Sequence, residues 1–424
     1  MQKHKYDKSI SLFERAQRVI PNGIPGHFNP INHKPAGAYP FFCDSVKGAN
    51  FFDIDGNKYI DYMCAYGPML LGYKDPKVEE AVAIQNKKSD TSTLASPIMV
   101  ELAEFLVDMI PFADWAYFAK NGADATNMAT LIARAATGKR KIIAIEDGYH
   151  GSSPWMQNIT RTGISPRDHT EILRIPWNDL QALENTLNEN ENEVAAFISS
   201  PYHHPAFKDS VMPTESYWDN VHKLLRKNGV LSICDDVRTG FRLNAHGSHE
   251  AFGYTPDISC YCKAIANGHP ISAVVGTDIV KSAAGSIFQT GSFWFAAAPM
   301  AAALATLKQI KDLDIPTQII GTGEKLFDEL TSIAGAHGVN LKVTGPRSMP
   351  YMRAEHPAGI EFHQALCGEC TQRGAFFLSH HNLFVSAAHG DEELNQTATI
   401  FDEAIISTLK KQAEQPLIAQ SNNK

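Results

Sequence analysis

Six short apolar runs dominate the middle of this chain. They are WAYFAK from residue 115, KIIAI from 141, VAAFISS from 194, VLSICD from 230, ISCYCK from 258 and ISAVVG from 271. They alternate little between polar and apolar, and helical periodicity separates several of them. A strand that is apolar on both faces must be covered on both faces, and helical crossovers supply that cover. The pattern predicts a large α/β domain over roughly residues 65–310, built around a mostly parallel sheet.

The flanking segments read differently. Leu12, Phe13, Ala16, Val19 and Ile20 recur at helical spacing behind Ser9, which reads as the helix cap, and Pro21-Asn22-Gly23 ends that helix. FFCDSVKGANFFDIDGNKYIDYM reads as three short strands with a hairpin turn at Asp55-Gly56. Helices are expected near 76–88 and 97–110, then near 297–312, 318–335, 358–372 and 390–413, with short strands between the last ones. Residues 311–424 thus form a smaller α+β domain. Residues 1–64 pack with it, since neither piece can bury a core alone. The last eight residues are polar and read as a frayed end.

Composition narrows the function classes. Lys and Arg number 38 against 46 Asp and Glu, a net charge of -8. Nucleic acid and anionic membranes need clustered positive charge, so neither is an expected partner. No apolar run reaches the roughly 18 residues of a membrane span, and the N-terminus lacks the apolar stretch of a signal peptide. The seven Cys are scattered, which points to reduced thiols and a cytoplasmic location rather than a disulfide framework. The one C-x-x-C pair, Cys367 and Cys370, lies on an apolar helix beside His363 without four visible ligands, so no metal is expected. The 17 His are left unexplained by composition.

In a sheet of this kind ligands sit at the carboxyl ends of the strands. WAYFAK is followed by Asn121-Gly122-Ala123-Asp124, small residues opening a helix, whose free amides and dipole favour a phosphate. KIIAI is followed by Tyr149-His150-Gly151, an aromatic at a strand end that can stack on a flat ring. VLSIC ends on Asp235-Asp236-Val237, and a carboxylate there is expensive unless paired. ISCYC ends on Lys263, where desolvation lowers the pKa and makes the amine a nucleophile. Each taken alone has a bland reading as a turn or an exposed side chain. A phosphate cradle, a stacking aromatic, a buried carboxylate and a nucleophilic Lys together are the parts of a pyridoxal phosphate site.

At these residues the chain resembles the class III pyridoxal phosphate-dependent aminotransferases of fold type I. NGADATNMATLIARAATGKRKIIAIEDGYHG is similar to their phosphate-binding helix and Tyr-His-Gly turn, CDDVRTGFR to their Asp-Glu-Val-x-Thr-Gly-Phe-Arg segment, and KAIANGHPISAVVG to the stretch opening on the Schiff-base Lys. Lys263 follows Asp235 by 28 residues, as in that family. DIDGNKYIDYMCAYGPMLLGYKDP and FVSAAHGDEELNQT resemble its glutamate-1-semialdehyde 2,1-aminomutase-like branch, so the likeness spans about residues 10–412. It implies that Lys263 is the Schiff-base Lys and proton shuttle, and that Asp235 pairs with the pyridine nitrogen. It implies phosphate contacts from Gly122 and Ala123, and a ring held between Tyr149 and Val237. Ser292, in TGSFWFAAAP, stands where a Thr of the neighbouring subunit holds the phosphate, which implies a homodimer with a shared active site.

The departures bear on the substrate. Where the family often has Glu-Pro, this chain has Ser200-Pro201-Tyr202-His203-His204. GAFFLSHHNLFVS is about two residues shorter than the corresponding aminomutase loop, and His380-His381-Asn382 stands there. With that loop altered, transfer from an amino acid, β-amino acid or amine to a 2-oxo acid, ketone or aldehyde is expected. An intramolecular aminomutase or racemase, and a non-enzymatic module of the same fold, are the competing readings. A buried substrate carboxylate needs an Arg or His. The candidates are Arg238, Arg242, Arg353, His27, His203 and His381, with Tyr66 as a further pocket residue.

Overall fold

A computed structural model describes residues 3–414. The N-terminal meander forms β1 (Cys43–Lys47), β2 (Asn50–Asp53) and β3 (Lys58–Asp61), with Asp55-Gly56 in the turn between β2 and β3. Its first helix spans Asp7–Gln17. Ser9 is not its cap but lies inside it. Asp55 caps the helix from the hairpin, accepting from the Lys8 amide at 2.7 Å and the Ser9 amide at 2.9 Å. A remote carboxylate thus takes over the role expected of Ser9, whose own hydroxyl donates to it at 2.6 Å. Val19 and Ile20 fall beyond the helix and are exposed.

The six apolar runs all become strands of one seven-stranded sheet. They are β4 (Trp115–Ala119), β5 (Lys141–Ile145), β7 (Val194–Ser199), β8 (Leu231–Asp235), β9 (Ile258–Tyr261) and β10 (Ser272–Gly276). The seventh, β6 (Ile172–Ile175), was not expected: Arg174 interrupts its apolar pattern, and at the sheet edge three of its four residues are only half-buried. The order is β4-β10-β9-β8-β7-β5-β6, parallel from β9 to β6, with β10 antiparallel to both neighbours. Every residue of β7, β9 and β10 is buried, as two-sided cover requires.

After the sheet, helices Ala297–Asp312, Ile315–Ala336, Ile360–Thr371 and Asp391–Glu414 follow, with the hairpin β11 (Asn340–Thr344) and β12 (Tyr351–Glu355) and the short β13 (Ala375–Phe376). β13 pairs in parallel with β3, joining the two chain ends in one four-stranded sheet. Glu369 reinforces the join by accepting from Lys3, Arg373, Ser407 and Lys411. The largest apolar cluster runs from Tyr39 through Ile271 to Ile405, so the sheet and the chain ends share one core. The frayed end expected for the last eight residues lies outside the described residues. Among the described residues no helix is long and apolar enough to cross a membrane.

Candidate active site

Strand register brings the first two chemical groups together. Asp235, the last residue of β8, pairs with Cys260 of β9, three residues before Lys263. The carboxyl ends of neighbouring parallel strands thus present a carboxylate and an amine to the same cleft. Asp235 is buried, and its charge is held by two donors: His150 Nδ1 at 2.6 Å and the Val237 amide at 3.1 Å. An ionised carboxylate has about four acceptor directions, so further capacity remains. His150 also lines this cleft, although in the sequence it reads only as part of a Tyr-His-Gly turn. The signal was a His next to the stacking Tyr, but its pairing with Asp235 spans 85 residues and no local pattern reveals it.

Lys263 opens a 3-10 turn with φ of 46°, a left-handed conformation that strains a residue with a side chain. Burial first, then the cations of Arg238 and Arg242, pulls its ammonium down to about 7. Around neutral pH a large share of Lys263 is therefore free amine. Its stem packs by Gly67, where an added Cβ would stand 3.3 Å from Lys263 Cδ. Gly67 ends a run in which Cys64, Ala65 and Tyr66 also have positive φ. Such strain costs about 1–3 kcal/mol per residue and needs fixing from outside. Arg242 donates to the Gly67 carbonyl, and Asp61 accepts from the Met63 amide at 2.8 Å.

The anion cradle sits on the other side of the cleft. Asn121 caps helix Gly122–Thr137 through a reciprocal box with Asp124. That box occupies the Asp124 amide and leaves the Gly122 and Ala123 amides outside it, at the positive end of the helix. A Cβ on Gly122 would stand 2.7 Å from Val237 Cγ1, so only glycine lets the cradle approach the valine face. Thr126 donates to the His150 carbonyl at 2.6 Å, tying the cradle to the turn that holds Asp235.

Gly122, Ala123, Tyr149, Asp235, Val237 and Lys263 all line one cleft with a cavity volume of about 270 Å³. Tyr149 is 62% exposed, a ring face available to a bound partner rather than packed into the core. A buried carboxylate with spare acceptor capacity, a lowered Lys and a Cβ-free phosphate cradle fit pyridoxal phosphate.

The substrate-side candidates separate. His203 does not line this cleft: its ring stacks on Trp177 at 6.0 Å in a small adjoining cavity, while its backbone bridges to Val211. Its neighbour His204 faces the cleft instead, because adjacent residues in extended chain point to opposite sides. Ser200 and Arg238 also line the cleft. Tyr66 and His381 are brought together edge to face at 5.4 Å, with His27 against Tyr66 at 4.5 Å. Lys263 acts electrostatically on the His27 and His381 rings. Arg353 is spoken for by Asp209 and Glu355. Arg242 is fully buried against Gly67 and the Phe384 ring, 5.1 Å away, and acts as a structural cation. Ser292 is exposed and is not among the residues lining its own chain's cleft.

A doubly covered, mostly parallel sheet with this Asp–Lys pair at its carboxyl edge defines a pyridoxal phosphate enzyme of fold type I. The sequence profile of the aminotransferase class-III family matches residues 32–405. An aminopentol aminotransferase of Sphingopyxis macrogoltabida is 39% identical over 94% of each chain. A glutamate-1-semialdehyde 2,1-aminomutase of Methanocaldococcus jannaschii is 34% identical over 81% of this chain and 82% of its own. Among solved structures, the internal aldimine form of the FumI protein of Sphingopyxis sp. MTA144, with its pyridoxal phosphate, superposes with a TM-score of 0.93. It is 39% identical and covers 97% of this chain and 99% of its own. The chain belongs to the class III aminotransferase family. It is a pyridoxal phosphate-dependent aminotransferase.

Proposed function

We propose that the enzyme moves an amino group from an amino acid, β-amino acid or amine to a 2-oxo acid, ketone or aldehyde in two successive half-reactions. The observation that carries this reading is the convergence of Asp235, Lys263 and the Gly122–Ala123 cradle on one cleft. Pyridoxal phosphate supplies the electron-withdrawing ring that acidifies the substrate carbon. Lys263 is the covalent anchor and the base that moves a proton at that carbon. Asp235, oriented by His150, keeps the ring nitrogen protonated. Gly122 and Ala123 donate to the phosphate, while Tyr149 and Val237 hold the two ring faces. Tyr66 and His381 border the substrate, and His204 takes the place assigned to His203.

The site is proposed to be completed in a homodimer, with Ser292 of one subunit reaching the phosphate of the other. What supports this is the exposure of Phe288, Phe293 and Phe295 around Ser292, an apolar surface that a second copy would cover. The division into a large domain over 65–310 and a small one from both chain ends is supported by the β3–β13 pairing. A cytoplasmic location is supported by seven free cysteines.

The test is a single half-reaction. Cofactor-loaded enzyme is incubated with a panel of amino donors and no acceptor. Transamination releases one equivalent of carbonyl product per site and then stops. Turnover with no released carbonyl would instead establish an aminomutase or racemase, and no cofactor uptake at all would establish a non-enzymatic module.

A further inference from the structure

Arg238 differs from the other arginines around it. It lines the cleft beside Lys263, and its Nη1 is fully committed, donating to His204 Nδ1 at 2.8 Å and to Asn382 Oδ1 at 3.0 Å. Both acceptors are neutral. A guanidinium has no acceptor, so His204 must receive this bond on an unprotonated Nδ1. Asn382 is itself fixed, its amide donating to the Leu383 carbonyl at 3.0 Å. Two of the five N–H groups are thus used, and the edge formed by Nε and Nη2 makes no hydrogen bond among the described residues.

No carboxylate among the described residues forms an ion pair with Arg238. The carboxylate that acts on it, Asp235, does so at longer range and is held by His150 and the Val237 amide. The end of β7 leads into Ser200-Pro201-Tyr202-His203-His204, and Ser200 and His204 line the cleft without a negative charge to offer. Arg353, by contrast, is matched by two carboxylates, and Arg242 is sealed away from the cleft by Gly67 and Phe384. Arg238 is half-buried and lines the cleft without an anion, and its open edge has the shape of a carboxylate's partner.

We propose that Arg238 binds a carboxylate of the reacting molecule through its Nε–Nη2 edge, held in place by His204 and Asn382. At least one half-reaction therefore handles an amino or oxo acid rather than a plain amine or aldehyde. This rests on the transaminase reading above and specifies its substrate class. The same oxyanion chemistry could come from the cofactor's ring oxygen, and the experiment separates the two sources.

The test uses holoenzyme and unreactive ligands. Calorimetry compares propanoate and butanoate with propanamide and butanamide in wild type, Arg238→Met and Arg238→Lys. In parallel, the pH midpoint of the bound cofactor's visible absorption is recorded for each protein. Wild type should prefer acid to amide by on the order of tenfold to a hundredfold, the weight of one charge-assisted pair. Arg238→Met should erase that preference and leave amide binding unchanged, while Arg238→Lys keeps part of it. If Arg238→Met does not fold with cofactor, Arg238→Lys alone must lose about tenfold of the preference. Equal binding of acid and amide by wild type overturns the proposal. So does a preference that survives in the variants while the absorption midpoint moves, which assigns the guanidinium to the ring oxygen. Absence of cofactor absorption in wild type would instead break the transaminase reading.

Discussion

The two walls of the cleft are built differently. The wall proposed to hold the cofactor is assembled from residues immediately after strand ends, and its groups are paired with one another: Asp235 with His150, Asn121 with Asp124, Thr126 with the His150 carbonyl. The wall proposed to face the substrate is assembled from segments far apart in the chain. Arg238 reaches 34 residues back to His204 and 144 residues forward to Asn382, and Tyr66 meets His27 and His381. One wall is a self-contained polar network. The other holds a cation whose protein partners are all neutral. A network whose members fix one another, with spare capacity on Asp235 and the Gly122 and Ala123 amides left open, is preformed for the same ligand in every cycle. A cation without an anion instead waits for what enters.

Substitutions in the cofactor wall should break the contrast most sharply. Lys263→Ala should lower the half-reaction rate by at least about a thousandfold, since anchor and base are lost together. Single-turnover absorption measurements check this. Asp235→Asn keeps the shape but removes the charge, and should cost about a hundredfold to a thousandfold in the same assay. Gly122→Ala should weaken cofactor binding by roughly tenfold or more. Its Cβ would stand 2.7 Å from Val237 Cγ1, and overpacking costs about 1–3 kcal/mol. Equilibrium dialysis against pyridoxal phosphate measures that loss.

The smallest expected effect sharpens the link between the walls. Lys263 is held at about 7, with burial as the largest cause and Arg238 as the next. Only the free amine attacks the cofactor, so the loading rate of stripped enzyme should rise with pH through about 7 and level off above it. Removing a neighbouring cation lets the amine keep its proton to higher pH. Arg238→Met should therefore move the midpoint upward, and a midpoint that stays put would show the two walls to be electrostatically independent.

That Asp235, Lys263, Gly122 and Tyr149 meet in one cleft was legible in the sequence, because each stands at or just after a strand end. The sheet's period and the residue types there place them without knowledge of distant contacts. What sequence missed was set by long-range geometry. Asp55 caps the first helix from 46 or more residues away, and His150 orients Asp235 across 85. β6 escaped because an edge strand is covered less completely and carries Arg174. A pair of adjacent His gives no sign in the sequence of which ring faces the cleft; the bridge of His203 to Val211 turns His204 toward it instead. The His excess also resolves into places. His204 lies against Arg238, and His381 and His27 lie against Tyr66, while His203 and His380 stack on Trp177 and Phe207.

The central claim is that the cofactor is carried on Lys263 in a cleft already shaped for it. Borohydride reduction of the loaded enzyme, followed by proteolysis and mass mapping, tests it most directly. The account predicts one cofactor mass per chain on the peptide containing Lys263, and none in Lys263→Ala. A stoichiometric label on another lysine, or no label in cofactor-saturated wild type, would contradict it.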